Sequence, residues 1–197
     1  METNKTIRTR NKIIEVAREL FATSNFYKTT MDAIAKSASM SRRTLYMHFK
    51  SKEDILMYVV EDEAQRIIKK LQSIGNSTMS PDRKLRLHIL TRFNAIDSLI
   101  RRNRYVRYDF IFNQLKIEQR RKPIDIIEEQ ILHEIIKEGK EKGIFYCSST
   151  EDFASTILRM LKSLEQPFVH RNNRVRTYNM LKEYVDMLFN GILNQTK

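Results

Sequence analysis

The stretch from Thr30 to Lys52, TMDAIAKSASMSRRTLYMHFKSK, constrains the fold of this chain more than any other segment. Thr30 and Ser41 are suitable N-cap residues, and each precedes a short segment with apolar residues at helical spacing. Ser39 and Met40, between the two segments, fit a tight turn. The stretch therefore predicts two short helices joined by a turn, which is a helix-turn-helix.

The second of these helices is expected to bury one face, formed by Leu45 and by Phe49 four residues later. A short cationic helix of this kind fits the major groove of DNA, where Arg can bond in a fork to guanine and hydroxyl groups can reach phosphates or bases. We therefore predict DNA contacts from Thr30, Ser41, Arg42, Arg43, Thr44, Tyr46, His48, Lys50 and Lys52. The alternatives are solvent exposure for the two arginines and a capping or packing role for His48.

The same stretch resembles the DNA-binding signature of TetR-type (tetracycline-repressor-like) regulators. The residues that carry the resemblance are Thr44–Phe49, Ser51–Asp54 and Leu56, together with the upstream Ala17, Leu20, Phe21, Phe26, Thr29 and Thr30. The resemblance covers residues 8–60 and implies a homodimeric bacterial transcription regulator, usually a repressor, with a C-terminal helical domain that binds a small molecule. It also implies that Tyr46 faces DNA and that Lys52 contacts a phosphate.

Two positions depart from the family pattern. Asn25 stands where the family usually has Gly near the end of the first helix, and Asn tolerates a left-handed cap. Ser39 stands where the family usually has Gly in the turn, and a left-handed Ser is less comfortable. We expect a slightly different turn geometry and not the loss of the motif.

Charge supports nucleic-acid binding. The 197-residue chain has a net charge of +12, and residues 1–50 carry ten Lys or Arg against four Asp or Glu. A quarter of the chain therefore holds half of the excess, as expected for a DNA-binding region. A basic balance alone would also suit RNA or anionic membrane surfaces.

The composition narrows the fold and function classes. Only four Gly and three Pro interrupt long amphipathic runs, which favours an all-α fold over a sandwich or barrel. The chain lacks a transmembrane-length apolar run and an N-terminal signal, and its single Cys147 permits no internal disulfide, so a cytoplasmic location is expected. We see no metal-ligand spacing, nucleophile–base pair or phosphate-binding Gly loop, and therefore predict no enzyme activity, metal or cofactor.

The apolar stripes predict about nine helices. The DNA-binding domain is expected to span residues 1–50, with residues 1–7 frayed and the first helix starting near Thr9. A helix over 51–75 would link it to an effector-binding and dimerisation domain over 78–197. Within that domain, helices are predicted over 80–100, 105–115, 123–142, 149–167 and 175–192.

Four features of the connections are also predicted. Gly143 suits a C′ cap, and Gly139 should weaken the last turn of its helix. Residues 144–147 read as an extended link, in which Cys147 would be a small buried thiol. The basic runs over 101–107 and 120–122 are expected to be solvated loops, with an anionic effector or a second DNA contact as the alternative.

The resemblance places an effector cavity among the fourth to eighth helices and a dimer interface on the last two. Candidate effector contacts are His88, Phe93, Tyr105, Tyr108, Phe112 and His133, with ordinary core packing as the alternative. Candidate interface residues are Ile157, Leu161, Leu164, Tyr178, Leu181, Val185, Leu188 and Phe189, which an intramolecular core would also explain.

Two functions follow from these patterns. The first is a ligand-responsive repressor that binds a near-palindromic operator as a dimer and is released by a small-molecule effector. The second is an architectural DNA-binding protein without sequence preference, which the basic excess alone would support.

Overall fold

The computed structural model of the chain describes residues 4–24, 26–102, 114–170 and 174–192. These residues form eight helices: α1 (Asn4–Thr23), α2 (Met31–Ser37), α3 (Arg42–His48), α4 (Lys52–Gly75), α5 (Pro81–Arg102), α6 (Gln114–Glu141), α7 (Thr150–His170) and α8 (Arg174–Ile192). The predicted all-α fold with an N-terminal helix-turn-helix is confirmed. The helix predicted over 105–115 lies outside the described residues, except for its last two residues, which belong to α6.

The chain groups into two compact units. The first comprises Met1–Ala64 with Leu99–Ile117, and the second comprises Gln65–Ser98 with Glu118–Lys197. These units are defined by packing. The predicted DNA-binding domain over 1–50 and the predicted effector-binding and dimerisation domain over 78–197 are defined by function, and they stay predictions.

One hydrophobic cluster holds the first unit together. Its buried members come from the first five helices and the turns between them: Ile13, Ile14, Ala17, Phe21, Phe26, Ile34, Ala35, Leu45, Phe49, Ile55, Leu56, Val59, Val60 and Leu99. Leu45 and Phe49 are buried as predicted. The helices α2 and α3 have seven residues each, which is too short for stability in isolation, so this packing is what maintains them.

The first helix is longer than predicted. It begins at Asn4 and not near Thr9, so residues 4–7 are helical and not frayed. The Thr9 hydroxyl donates to the Lys5 carbonyl oxygen at 2.9 Å, which satisfies it within the helix and removes its use as an N-cap. Near the other end of α1, Arg18 pairs with Glu63 of α4 at 2.9 Å and joins these two helices.

In the second unit, proline positions do not mark helix ends. Pro123 was predicted to open a helix, but α6 passes through it from Gln114. The preceding residues are mostly good helix formers, which offset the single backbone hydrogen bond that an internal proline removes. The ion pair between Arg121 and Asp125, 3.7 Å apart, spans this turn. Residues 120–122 are therefore helical, and the loop predicted there is wrong.

Pro167 likewise lies inside α7, which continues to His170 instead of ending near Pro167. The start of α7 is capped, because the Ser149 hydroxyl accepts a hydrogen bond from the Asp152 amide at 3.0 Å. Because α7 is capped and has seventeen residues without proline before Pro167, it tolerates the loss of the one backbone N–H donor that proline lacks. Among the described residues, no helix combines the length and apolar character that crossing a membrane requires.

The link between α6 and α7 folds back onto the end of α6. Gly143 has φ of 68°, which fits the predicted C′ cap, and the Ile144 amide donates to the Gly139 carbonyl oxygen at 2.8 Å. Phe145 is buried, whereas Tyr146 is exposed. Cys147 is only partly buried, so the prediction of a buried thiol is wrong. Alternation along an extended segment explains the exposure of Tyr146, since the adjacent Phe145 takes the inward position.

Candidate nucleic-acid interface

The helix-turn-helix has a side-chain cap at the start of each helix and one left-handed residue in the turn. The Thr30 hydroxyl accepts from the Ala33 amide at 3.1 Å, and the Ser41 hydroxyl accepts from the Thr44 amide at 3.0 Å. Ser39 has φ of 56°, as expected for a residue at the position where glycine is favoured. The predicted turn is therefore present, and the hydroxyls of Thr30 and Ser41 cap the starts of α2 and α3.

The faces of α3 differ sharply in exposure. Leu45 is fully buried, while Tyr46 is 52% exposed and Met47 is 77% exposed. Arg42 and Arg43 are also exposed. Met47 was not among the predicted contacts, although its position beside Tyr46 on the polar side of the helix could have indicated it. The exposed face of α3 thus presents two cations, one phenol and one thioether.

Arg42 is held by an acid from the other helix of the motif. Its Nε and Nη2 atoms donate to Oδ1 and Oδ2 of Asp32, which lies in the first turn of α2. Both side chains remain more than half exposed. Sequence reasoning missed Asp32, because nothing in the spacing of ten residues shows that the two helices bring these side chains together.

Lys52 makes more contacts than any other predicted DNA-binding residue in the described structure. Its Nζ donates to the carbonyl oxygens of Phe26 at 3.0 Å, Tyr27 at 3.4 Å and Thr29 at 3.2 Å. The same ammonium lies 4.6 Å from the centre of the Phe26 ring. Lys52 therefore ties the start of α4 to the connection between α1 and α2, and its contact with phosphate stays a prediction.

The segment before α4 carries the other two cationic candidates. Lys50 is exposed, and His48 is a partly exposed residue at the end of α3. The start of α4 is capped, because the Asp54 amide donates to the Ser51 hydroxyl at 3.1 Å and the Asp54 carboxylate accepts from the Lys50 amide at 3.2 Å. The cap fixes the backbone here while leaving the Lys50 side chain in solvent.

The predicted effector contacts that the structure describes fall in two different environments. His88 and Phe93 are fully buried on α5. His133 is partly exposed, and its Nε2 lies 3.2 Å from both the Thr150 hydroxyl and a Glu151 carboxylate oxygen. The remaining candidates, Tyr105, Tyr108 and Phe112, lie outside the described residues.

His88 belongs to a buried polar cluster between α5 and α6. Lys84, His88 and Arg92 follow one another at four-residue spacing along α5, and all three are buried. The Glu128 carboxylate of α6 forms an ion pair with Arg92 Nε at 2.7 Å and lies 3.1 Å from His88 Nε2. Lys84 Nζ forms a separate ion pair with Glu138 at 2.7 Å. Sequence reasoning noticed only His88, although the four-residue spacing of three basic residues within an apolar stripe was visible.

This cluster shifts the ionisation of Glu128. Burial would raise the pKa of the carboxyl, but the charge of Arg92, the hydrogen bond with His88 and the charges of His88 and Arg121 outweigh it. Together they lower the pKa of Glu128 from 4.5 to about 2. The carboxylate is therefore ionised at neutral pH and compensates the buried guanidinium.

The predicted interface residues are mostly buried within one chain. Six of them have low exposure before any partner is considered: Ile157, Leu161, Leu164, Leu181, Val185 and Phe189. Tyr178 is exposed and Leu188 is intermediate. The six buried residues contribute to the core of the second unit, so a contact with a second chain through α7 and α8 would use their exposed neighbours. In the described part of the chain, no group of His, Cys, Asp and Glu is arranged to hold a metal ion.

Comparisons with known proteins agree with this geometry. Residues 13–59 match the family model described as bacterial regulatory proteins, tetR family. The chain is 30% identical over 133 residues to the HTH-type transcriptional repressor KstR2 of Mycolicibacterium smegmatis, covering 62% of this chain and 64% of that protein. It is 38% identical over 60 residues to the HTH-type transcriptional regulator UidR of Escherichia coli, covering 30% and 31% of the two chains.

The fold extends beyond these matched segments. The crystal structure of a TetR-family transcriptional regulator from Pectobacterium atrosepticum aligns over 100% of both chains with a TM-score of 0.77 at 18% identity. The chain spans less than two thirds of the two curated relatives, whose names describe transcriptional regulators and not enzymes. Residues 13–59 therefore match the DNA-binding region of the tetR family of bacterial regulatory proteins, and the fold of the chain is similar to that of a TetR-family regulator.

Proposed function

We propose that this chain is a transcription regulator that binds operator DNA as a homodimer. The observation that carries the proposal is the exposed face of α3, where Arg42, Arg43, Tyr46 and Met47 surround a helix that Leu45 anchors in the core. A helix with this division between buried and polar faces can enter the major groove while its buried face stays packed in the core. The basic excess in residues 1–50 supplies attraction to phosphates.

Base reading is assigned to the first turn of α3. Recognition helices contact base edges mainly through their N-terminal residues, and Arg42 and Arg43 open α3. Each guanidinium can bond in a fork to guanine, whereas Lys50 and other exposed cations bond to phosphates without reading sequence. A two-fold symmetric dimer would place two such helices on the half-sites of a near-palindrome, about 34 Å apart.

The regulatory part of the proposal is repression relieved by a small molecule. It is supported by the family, and the relative KstR2 is itself described as a repressor. The second unit would bind the effector, with His88 and Phe93 among the candidate contacts. Binding could release the operator only if the effector prefers the conformation that does not fit DNA.

The proposal is tested by selecting binding sites from random duplex DNA with the purified full chain at physiological salt and excess competitor DNA. We expect a near-palindromic site and a symmetric footprint. Arg42→Ala and Arg43→Ala should each relax the preference at one position of each half-site, at a cost of about 1–3 kcal/mol for a lost bidentate contact. The control Arg159→Ala removes an exposed arginine of α7 and should leave the selected site unchanged.

A second candidate is a sequence-non-specific architectural DNA-binding protein, which the net charge of +12 favours. It predicts equal affinity for unrelated duplexes and a steep fall in affinity with salt. If competitor DNA abolishes all complexes and no sequence is enriched, this candidate replaces the regulator.

A further inference from the structure

We infer that Asp32 is a specificity-determining residue, which orients Arg42 so that Arg42 reads a guanine in each operator half-site. The inference rests on the proposed DNA-binding function. Asp32 and Arg42 come from the two helices of the motif, α2 and α3. Their contact fixes an otherwise flexible side chain at the first position of α3, where base edges are read.

The geometry of the contact leaves the useful edge of the guanidinium open. A guanidinium carries five N–H groups in a planar fork. Asp32 accepts from Nε and from Nη2, so it occupies the side edge of the group. The end edge, formed by Nη1 and the second hydrogen of Nη2, is the edge that can donate two parallel hydrogen bonds to O6 and N7 of guanine.

Exposure is consistent with presentation to a ligand. The Arg42 side chain is 71% exposed while paired, and Asp32 is 51% exposed. An exposed ion pair contributes little to stability, so maintenance of the fold does not account for this contact. A held arginine, in contrast, loses less rotamer freedom when it binds, which makes its contact with one base more selective.

Asp32 also opposes the competing use of Arg42. A free arginine at this position can bend to a nearby phosphate and gain affinity that carries no sequence information. The carboxylate of Asp32 competes for the guanidinium and repels phosphates. Loss of its charge should therefore weaken discrimination among bases and strengthen binding to unrelated DNA.

The test uses duplexes that carry the site selected by the unaltered full-length chain, with each base pair replaced in turn. A bidentate Arg–guanine contact discriminates between bases by about 5- to 150-fold. We expect Arg42→Ala to abolish this preference at one position per half-site. Asp32→Asn should reduce the preference at that same position and tighten binding to an unrelated duplex.

Two controls separate orientation from general charge. Glu53→Gln removes one exposed acid at the start of α4, so it changes the net charge equally and should leave every base preference intact. Combining Asp32→Asn with Arg42→Ala should give the base preferences of Arg42→Ala alone, because Asp32 affects base preference only through Arg42. Thermal melting of each variant verifies that the helices remain folded.

The inference is overturned if Asp32→Asn tightens binding to all duplexes by one common factor and keeps every base preference. It is equally overturned if Asp32→Asn and Glu53→Gln behave alike. These results differ from failure of the proposed function, in which the unaltered chain itself enriches no site from random DNA.

Discussion

At the scale of single residues, charged side chains hold the local structure as well as presenting charge. Lys52 donates to three backbone carbonyl oxygens in the connection between α1 and α2 and also contacts the ring of Phe26. Those oxygens lie outside helices, and the ammonium supplies hydrogen bonds to them. The residue therefore connects α4 to the part of the chain that leads into the helix-turn-helix.

Lys52→Met keeps the aliphatic length and removes the ammonium. We expect it to lower the free energy of unfolding by about 1–3 kcal/mol, because charge-assisted hydrogen bonds and a cation–π contact are lost. The matched control Lys50→Met changes an exposed lysine two residues away and should stay within about 0.5 kcal/mol. Chemical denaturation followed by circular dichroism measures both.

The salt dependence of operator binding then decides whether Lys52 also contacts a phosphate in the complex. A lost phosphate contact would reduce the slope of log affinity against log salt by about one. An unchanged slope together with lower stability would assign Lys52 a structural role alone. Equal stabilities of the Lys52 and Lys50 variants would contradict the structural role.

Glu128 gives a pH-dependent prediction. Its pKa is lowered from 4.5 to about 2 in the folded chain, so its stabilising effect is present above about pH 4.5 and is lost as the pH falls towards 2. At about 1.4 kcal/mol per pKa unit, this corresponds to about 3 kcal/mol. Glu128→Gln should lower the free energy of unfolding by about that amount at pH 7, and the deficit should shrink between pH 4.5 and pH 2.

The neighbouring Glu129→Gln serves as the control for Glu128→Gln, because it removes an adjacent carboxylate that is only partly buried. Its expected effect is below about 0.5 kcal/mol at each pH. Urea denaturation at a series of pH values measures both variants. A deficit for Glu128→Gln that stays constant from pH 7 to pH 3 would contradict the lowered pKa.

Individual contacts were the least predictable level from sequence. The left-handed Ser39 could be anticipated, because the turn is local and the chain there has few alternatives. The pairing of Asp32 with Arg42 and the enclosure of Lys52 could not, since they depend on how helices far apart in sequence approach one another. Periodicity reports which face of a helix is buried and not which side chain it meets there.

At the scale of elements, the end of α6 depends on a glycine, which has no side chain. Phe145 packs directly over Gly139, and a Cβ at Gly139 would lie 2.1 Å from Phe145 Cδ2. The sequence suggested that Gly139 only weakens the helix. The structure shows that the glycine admits the aromatic ring that closes the link between α6 and α7.

Gly139→Ala should therefore destabilise the protein by at least about 1 kcal/mol, because overpacking outweighs the better helix propensity of alanine. The control is Gly191→Ala in α8, where an added Cβ meets no atom within 4 Å. That variant should stabilise by up to about 1 kcal/mol. Thermal or chemical denaturation gives both values, and the same sign for the two substitutions would contradict the packing explanation.

Helix starts with a capping side chain were more predictable than helix boundaries assigned to prolines. The caps at Thr30, Ser41 and Ser149 depend on one side chain and one nearby amide, so the sequence contains all the required information. Pro123 and Pro167 were taken as boundaries, yet α6 and α7 continue through them. A proline removes one backbone hydrogen bond, and whether the helix ends there depends on the stability of the surrounding helical residues.

At the scale of the whole molecule, the proposed dimer needs a surface that one chain leaves open. Most of the predicted interface residues are buried within one chain, but Tyr178, Tyr184 and Met187 of α8 are exposed. Large apolar side chains that share an exposed helix are suited to contact with a second chain. We therefore propose that the contact uses Tyr184 and Met187, which lie about one turn apart on α8.

Met187→Lys should weaken self-association at least about tenfold, because a charge would have to be buried at the contact. Sedimentation equilibrium of the full-length chain measures the effect. Met47→Lys, at a similarly exposed methionine of α3, should leave the molecular mass in solution unchanged. A dimer unaffected by Met187→Lys would place the interface elsewhere.

The fold class was the most predictable feature of the molecule. Few glycines and prolines, long apolar stripes and the helix-turn-helix segment together pointed to an all-α protein, and the structure has that fold. The stripes could not separate a residue packed within one chain from a residue packed against another, because both leave the same apolar periodicity. Leu161 and Leu181, for example, were predicted at an interface and are buried within one chain, and their part in an interface stays a prediction.

An amine enclosed by carbonyl oxygens must leave them before it can attack an acylating reagent. Lys52 should therefore be modified only when the connection between α1 and α2 opens, whereas the exposed Lys50 can react from the closed state. The ratio of the two acylation rates would report how often this connection opens. Bound DNA or bound effector would change that ratio if it makes local opening of the first unit less or more frequent. The two acylation rates therefore measure this local opening.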